Sequence, residues 1–142
     1  MVIEKVNRYH PDKLADRIAG AITDYAYKQV ADPRVAVAVL LGHGHATVIA
    51  ETSITISDDV VTNIVKRISG ITDVDYRQYP QDSVLAENQN DGVRCGDNGV
   101  FQAKWSADYD DATTTAISLA NSFPTDGKYL FDFKNDKATI CQ

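Results

Sequence analysis

The sequence predicts an α+β fold built from layered β-α-β-β-α-β units, with helices on one face of a sheet. Three observations carry that prediction. Two segments repeat apolar residues at the three- and four-residue spacing of a helix face: Leu14, Ile18, Ala21, Ile22, Tyr25 and Ala26, then Val60, Val61, Ile64, Val65 and Ile68. Between them lies RVAVAVLL, residues 34–41, an apolar and β-branched run of the kind that buried strands use. Past residue 99 the β-α-β-β order begins again and then stops.

Taken in order, Val2-Ile3-Glu4-Lys5-Val6 alternates as a short strand. His10-Pro11-Asp12-Lys13 reads as a helix start. Proline suits the first turn, and Asp12 puts negative charge at the positive end of the helix dipole. Asp32-Pro33 ends that helix, and Gly42-His43-Gly44-His45 turns strand 34–41 into a second strand over 46–56. Ser57-Asp58-Asp59 is an N-cap cluster for the second helix, which Gly70 stops. Residues 72–98 read as loop-rich, with one short strand around 82–86. Residues 100–106 then alternate as a strand and 107–122 form a helix despite three threonines. A hairpin follows, 129–133 with 137–141, turned at Asn135-Asp136. The expected division is 1–90 for the first unit and 91–142 for an incomplete second unit packed on it. Such a half-unit leaves sheet surface to be covered by the first unit or by another chain.

With 142 residues the chain is long enough to bury a core without staples. Its 44% hydrophobic and 24% charged residues exclude a disordered, collagen-like or coiled-coil class. A balance of 14 basic against 20 acidic residues, net −6, argues against a nucleic-acid partner. It leaves room for a small anion held by a few local cations. Cys95 and Cys141 form no CxxC pattern, so neither a disulfide framework nor a structural zinc site is expected. No run approaches the roughly 18 apolar residues of a membrane span, and the start lacks a signal-peptide run, so a cytoplasmic location is expected.

Four places hold residues suited to chemistry. At His10-Pro11-Asp12-Lys13, with Glu4 nearby in sequence, an imidazole, a carboxylate and an ammonium meet at a helix N-terminus. Such ends bind phosphate, and Asp12 could ligate Mg²⁺; the same residues also suit a plain helix cap with a surface histidine. Gly42-His43-Gly44-His45 reads as a hairpin turn before a metal site, with the roles of His43 and His45 open, while Glu51 either faces solvent on an open sheet face or reaches into a site. Gly96-Asp97-Asn98-Gly99 is a tight turn that can approach a ligand closely, or an ordinary Asx turn. Thr125-Asp126-Gly127-Lys128 is a simple turn, or an acid and a base placed to hold a ribose and a phosphate.

Together, and in this order, these features resemble the S-adenosylmethionine synthetase (methionine adenosyltransferase) family. The family's Glu, short gap and Gly-His-Pro-Asp-Lys signature is similar to Glu4 and Tyr9-His10-Pro11-Asp12-Lys13-Leu14-Ala15-Asp16-Arg17-Ile18. Its Thr-Gly turn and Gly-Glu-Ile-Thr strand look like His43-Gly44 and Ala50-Glu51-Thr52-Ser53. Its Gly-Ala-Gly-Asp-Gln-Gly resembles Arg94-Cys95-Gly96-Asp97-Asn98-Gly99, and its Thr-Ile-x-Leu-Ala-His helix resembles Ala116-Ile117-Ser118-Leu119-Ala120-Asn121. Its Pro-Asp-x-Lys resembles Thr125-Asp126-Gly127-Lys128.

The resemblance implies an enzyme that forms S-adenosylmethionine from ATP and methionine, releasing phosphate and pyrophosphate, with its active site at a subunit interface of a homodimer or higher homo-oligomer. It implies His10, Lys13 and Lys128 as catalytic residues, with His10 at the bridging oxygen of the triphosphate. Asp126 and Lys128 would contact ATP, Asp12 would ligate Mg²⁺, and Glu51, Gln89 and Asp97 would hold methionine. Glu4, Gly96 and Asn98 are further site candidates. The sequence also departs from the pattern. Tyr9 replaces a glycine and Asn98 a glutamine, and the gating segment is shortened around residues 86–94. The acid that helps hold K⁺ falls near Val37-Ala38 and is absent, which argues against a K⁺ site. Later family lysines and an arginine on the polyphosphate have no counterpart; Lys5, Arg8, Arg94 and Lys104 are available in their place, but the sequence does not position them. The resemblance therefore also admits a non-catalytic relative that binds nucleotide or S-adenosylmethionine, or regulates a full-length synthetase by mixed assembly, and a fragment of a longer enzyme.

Overall fold

A computed structural model describes residues 2–83, 87 and 111–141 of the protein. Among these the order is β1 (Val2–Val6), α1 (Pro11–Gln29), β2 (Val35–Leu41), β3 (His45–Thr52), α2 (Asp58–Ser69), β4 (Asp73–Tyr79), α3 (Asp111–Asn121), β5 (Lys128–Asp132) and β6 (Lys137–Cys141). The fold is α+β, and its first six elements run β-α-β-β-α-β. No helix among the described residues is long and apolar enough to cross a membrane.

The chain forms two compact units, Ala15–Gln102 and Met1–Leu14 with Ala103–Gln142, and so divides differently from the 1–90 and 91–142 expected. The cause is β1. It does not join the sheet of the elements that follow it, but pairs antiparallel with β5, from Val2↔Asp132 to Val6↔Lys128.

In the unit 15–102 the sheet order is β2-β3-β4. β2 and β3 form the expected hairpin, in register from Val35↔Thr52 to Leu41↔Ala46. Gly44 closes it at φ 78, a conformation that glycine adopts without steric cost. β3 is shorter than the 46–56 expected, because the Thr52 hydroxyl accepts the Ile54 N–H at 3.2 Å and turns the chain. α2 then carries it back, so that β4 lies parallel to β3, as a parallel pair requires a crossover. Ala46, Val48 and Ala50 point to one face and are buried. Ala46 and Val48 share a core with Ile18, Ile22 and Ala26 of α1 and Val61, Ile64 and Val65 of α2. The other face is open, with Leu40 73% exposed.

β4 corrects the sequence reading, which placed residues 73–79 in a loop and a strand near 82–86. Asp82 lies outside any strand, Ser83 is helical, and residues 84–86 lie outside the described residues. DVDYRQY does alternate, with Val74 and Tyr76 half-buried between exposed Asp73, Asp75 and Arg77. Asp73, Asp75 and Arg77 point to the face opposite the core, which among the described residues is open, so their charges stay in water.

In the other unit, whose expected strand at 100–106 lies outside the described residues, the order is β1-β5-β6, antiparallel throughout. α3 covers one face. Ala116, Ala120, Tyr129 and Phe131 are buried there, with Ile3, Phe123 and Phe133 packed around them. The Tyr129 ring stacks on Phe123 at 5.2 Å and lies 6.1 Å from Phe131.

The β5–β6 turn is held by Asp132, whose carboxylate accepts from Asn135 Nδ2 at 2.7 Å and from the Lys134 N–H at 3.0 Å. These bonds, the Asn135 amide first, hold the carboxyl below its ordinary pKa. A depressed pKa means that the contribution to folding is complete above the unfolded value and is lost as pH falls through the folded one. Asn135→Ala is expected to raise the Asp132 pKa toward its ordinary value, which an NMR titration of the side-chain carboxyl would read.

Candidate functional site

The His-Pro-Asp-Lys segment begins α1 with His10 as its cap. The His10 carbonyl accepts the Leu14 N–H at 3.0 Å, and its Nδ1 accepts the Asp12 N–H at 3.2 Å. With Nδ1 accepting this amide, Nε2 is the ring nitrogen available to donate. The Asp12 carboxylate, largely exposed, lies 3.8 Å from the same Nδ1.

Asn7 fixes this start against a distant loop. It is 1% exposed. Its Nδ2 donates to the Thr125 carbonyl, 118 residues away, and to the Tyr129 hydroxyl at 3.2 Å. Its Oδ1 accepts the Tyr9 N–H at 3.1 Å, its carbonyl accepts the His10 N–H, and its own N–H donates to the Gly127 carbonyl, both at 3.2 Å. Gly127 tolerates no side chain, since a Cβ would collide with the Tyr129 hydroxyl and ring. Sequence reasoning passed over Asn7. The available signal was an amide standing between a strand and a helix cap, where side-chain to backbone bonds are common.

Beside this joint, Lys128 Nζ donates to Glu4 Oε1 at 3.0 Å, from a position diagonal to it across the β1–β5 pair. That hydrogen bond, then the Glu4 charge, raises the Lys128 pKa, and Asp12 adds to the rise. Glu4, His10, Asp12, Lys13, Asp126 and Lys128 thus belong to one compact unit. Asp126 is exposed, and Lys13 lines a cleft with Glu4. Asp12 offers a metal one carboxylate, and no group of three or more His, Cys, Asp and Glu side chains that could hold a metal occurs among the described residues.

Glu51 belongs to the other unit, half-buried on the open face of its sheet between Ala36 of β2 and Tyr79 of β4. Gln89, Gly96, Asp97 and Asn98 lie outside the described residues. His45 clasps β3 to β4: its Nδ1 donates to Asp73 at 3.0 Å, which leaves Nε2 to accept from the Thr47 hydroxyl at 3.3 Å.

The fold and this site define a class: an α+β chain that sets an imidazole, a carboxylate and an ammonium at the start of its first helix. The profile of the S-adenosylmethionine synthetase N-terminal domain matches residues 1–91. The chain belongs to the S-adenosylmethionine synthetase family. It is 38% identical over 76 residues to an S-adenosylmethionine synthase of a Nitratiruptor species, covering 51% of this chain and 19% of that protein. It is 28% identical over 135 residues to one of a Sulfurovum species, covering 83% of this chain and 35% of the relative. The chain therefore spans about a third or less of these relatives' length. An unusual S-adenosylmethionine synthetase from Campylobacter jejuni shares the fold, with a TM-score of 0.50 and 23% identity over 58% of this chain and 28% of that one.

Proposed function

We propose that the chain is a methionine adenosyltransferase, forming S-adenosylmethionine from ATP and methionine in a site completed by a second subunit. The observation that carries this reading is the Asn7 joint, which ties the His-Pro-Asp-Lys helix start to the loop of Asp126 and Lys128. Both segments are those that the family pattern directs at ATP. In the reaction the methionine sulfur attacks C5′ of the ribose and the triphosphate leaves, later to be cleaved to phosphate and pyrophosphate. A thioether needs no general base; it needs alignment and exclusion of water. Negative charge builds on the departing oxygen, and there the His10 Nε2–H donates while Lys13 and Lys128 supply positive charge. Mg²⁺ held by Asp12 would neutralise phosphate oxygens. Asp126 would contact the nucleoside, and Glu51, with Gln89 and Asp97, would hold methionine. A cytoplasmic location accompanies this use of ATP.

The second subunit has a surface to occupy: the open face of β2-β3-β4 exposes Leu40, Ile49 and Tyr79, the last by 52%. Contiguous exposed apolar residues mark association sites, and like chains commonly pair through one such face. The test is to incubate the pure chain with ATP, methionine and Mg²⁺ and to measure S-adenosylmethionine and phosphate. Asp12→Ala is expected to abolish product at limiting Mg²⁺ and to recover part of it in excess Mg²⁺. An Asp12→Ala variant with unchanged Mg²⁺ dependence would remove the residue from this role. The span of a third or less of the relatives favours a second reading, a relative that binds nucleotide or S-adenosylmethionine, or joins a full-length synthetase in mixed assembly. ATP binding without turnover would select it.

A further inference from the structure

The open face of β2-β3-β4 carries a charge pattern that is complementary to itself. Ala46, Val48, Ala50 and Thr52 of β3 are buried, so the residues between them stand on the opposite face. The β3–β4 register arranges that face in four rows: His45 with Asp73, Thr47 with Asp75, Ile49 with Arg77, and Glu51 with Tyr79. On β2, Leu40 joins the Thr47 row and Ala38 the Ile49 row. Within one chain Asp73 holds His45 Nδ1 at 3.0 Å and Asp75 holds Arg77 at 3.1 Å.

Two such faces, packed with their strands nearly aligned, meet about one of two in-plane two-fold axes. An axis along β3 sets each row against itself. Glu51 then meets the partner's Glu51, and the Arg77–Asp75 pair is covered by the partner's Ala38 and Leu40, which give it no hydrogen bond. An axis across the strands, level with Val48, reverses the order of the rows. Glu51 then meets the partner's His45, Arg77 meets the partner's Asp75, and the Tyr79 hydroxyl meets the partner's Asp73. Ile49 lies on the partner's Thr47 and Leu40 on the partner's Ala38. Every carboxylate finds a donor only in this second arrangement.

We infer that a second copy of this chain covers the face about the axis across the strands, and that the pairing tightens as His45 gains a proton. It rests on the reading above for the second copy alone, not for the chemistry. With Nδ1 donating to Asp73, a neutral His45 ring presents a lone pair at Nε2, which accepts from Thr47 in the single chain. That lone pair repels the partner's Glu51. A protonated ring donates from both nitrogens, so one proton turns the contact from repulsive to attractive. In its own chain His45 faces Asp73 and, one row on, Asp75, which Arg77 neutralises. From β2, Leu40 is the neighbour at that end of the face, and His43 is the other titratable residue of the adjoining turn. Glu51 is the residue assigned to methionine above; its second oxygen remains for that ligand.

The experiment is sedimentation of the full chain over a range of concentrations at about pH 8 and about pH 6, between which histidine changes charge. Association is expected to be about tenfold tighter at the lower pH, the two Glu51–His45 contacts of the dimer contributing about threefold each. His45→Gln is expected to remove that difference. Arg77→Asp and Asp75→Arg are each expected to weaken association about tenfold, because like charges then oppose across the axis. Both changes in one chain exchange the charges and are expected to restore association to within a few-fold. Association indifferent to the single changes would overturn the proposal, as would no recovery in the combined variant or a native pH dependence in His45→Gln. Association that follows the charge exchange, without any S-adenosylmethionine formed, keeps the pairing and refutes the enzyme reading. A chain that stays single at every concentration and still forms S-adenosylmethionine does the reverse.

Discussion

Tyr129→Ala is expected to destabilise the unit of residues 1–14 and 103–142 by about 3–5 kcal/mol, read as a shift in the urea midpoint. The size follows from the composition of this core. Among the described residues four are buried in it, two of them alanines, so Tyr129 at 0% exposure and Phe131 supply most of the buried volume those residues contribute. Removing the ring leaves a cavity against Phe123 and Phe131, the rings it stacks on. Tyr129→Phe separates packing from hydrogen bonding. It keeps the stack but removes the hydroxyl that accepts from Asn7, and is expected to cost about 1 kcal/mol. A loss below about 1 kcal/mol for the Ala variant would show that the aromatic stack does not hold this unit together.

The second large effect concerns His10, where two substitutions divide two duties. His10→Ala removes both the acceptor for the Asp12 N–H and the Nε2 donor. It is expected to cost about 1 kcal/mol of stability through the lost cap and about 100-fold or more in adenosyl transfer. His10→Asn keeps a side-chain oxygen able to cap the helix, so stability is expected to return while transfer does not. If His10→Asn restored turnover, His10 would act by positioning the helix, and the proposed donor role would be lost. Thermal unfolding measures the first quantity and initial rates of S-adenosylmethionine formation the second.

Legibility in the sequence followed the range of the interactions. The α1 and α2 faces, the Gly44 and Gly70 positions and both hairpins were readable, because each depends on periodicity or on one residue's backbone freedom. β4 was misread because the charges of DVDYRQY resemble a loop when it is unknown that they point to an open sheet face. Glu51 stood open between two readings; the strand register puts it on the uncovered sheet face.

By itself, then, the sequence determined the class of fold, the helices and turns, and the resemblance carried by His10, Pro11, Asp12 and Lys13. The tertiary structure alone decided that β1 leaves its sequence neighbours for β5, and that Asn7 joins His10 to a loop more than a hundred residues away. The reason is physical. Backbone N–H and C=O groups are the same along every strand edge, so alternation announces a strand without naming its partner. The partner is chosen by side-chain burial, here Ile3 against the core that Tyr129 and Phe131 share with α3, and no local pattern records it.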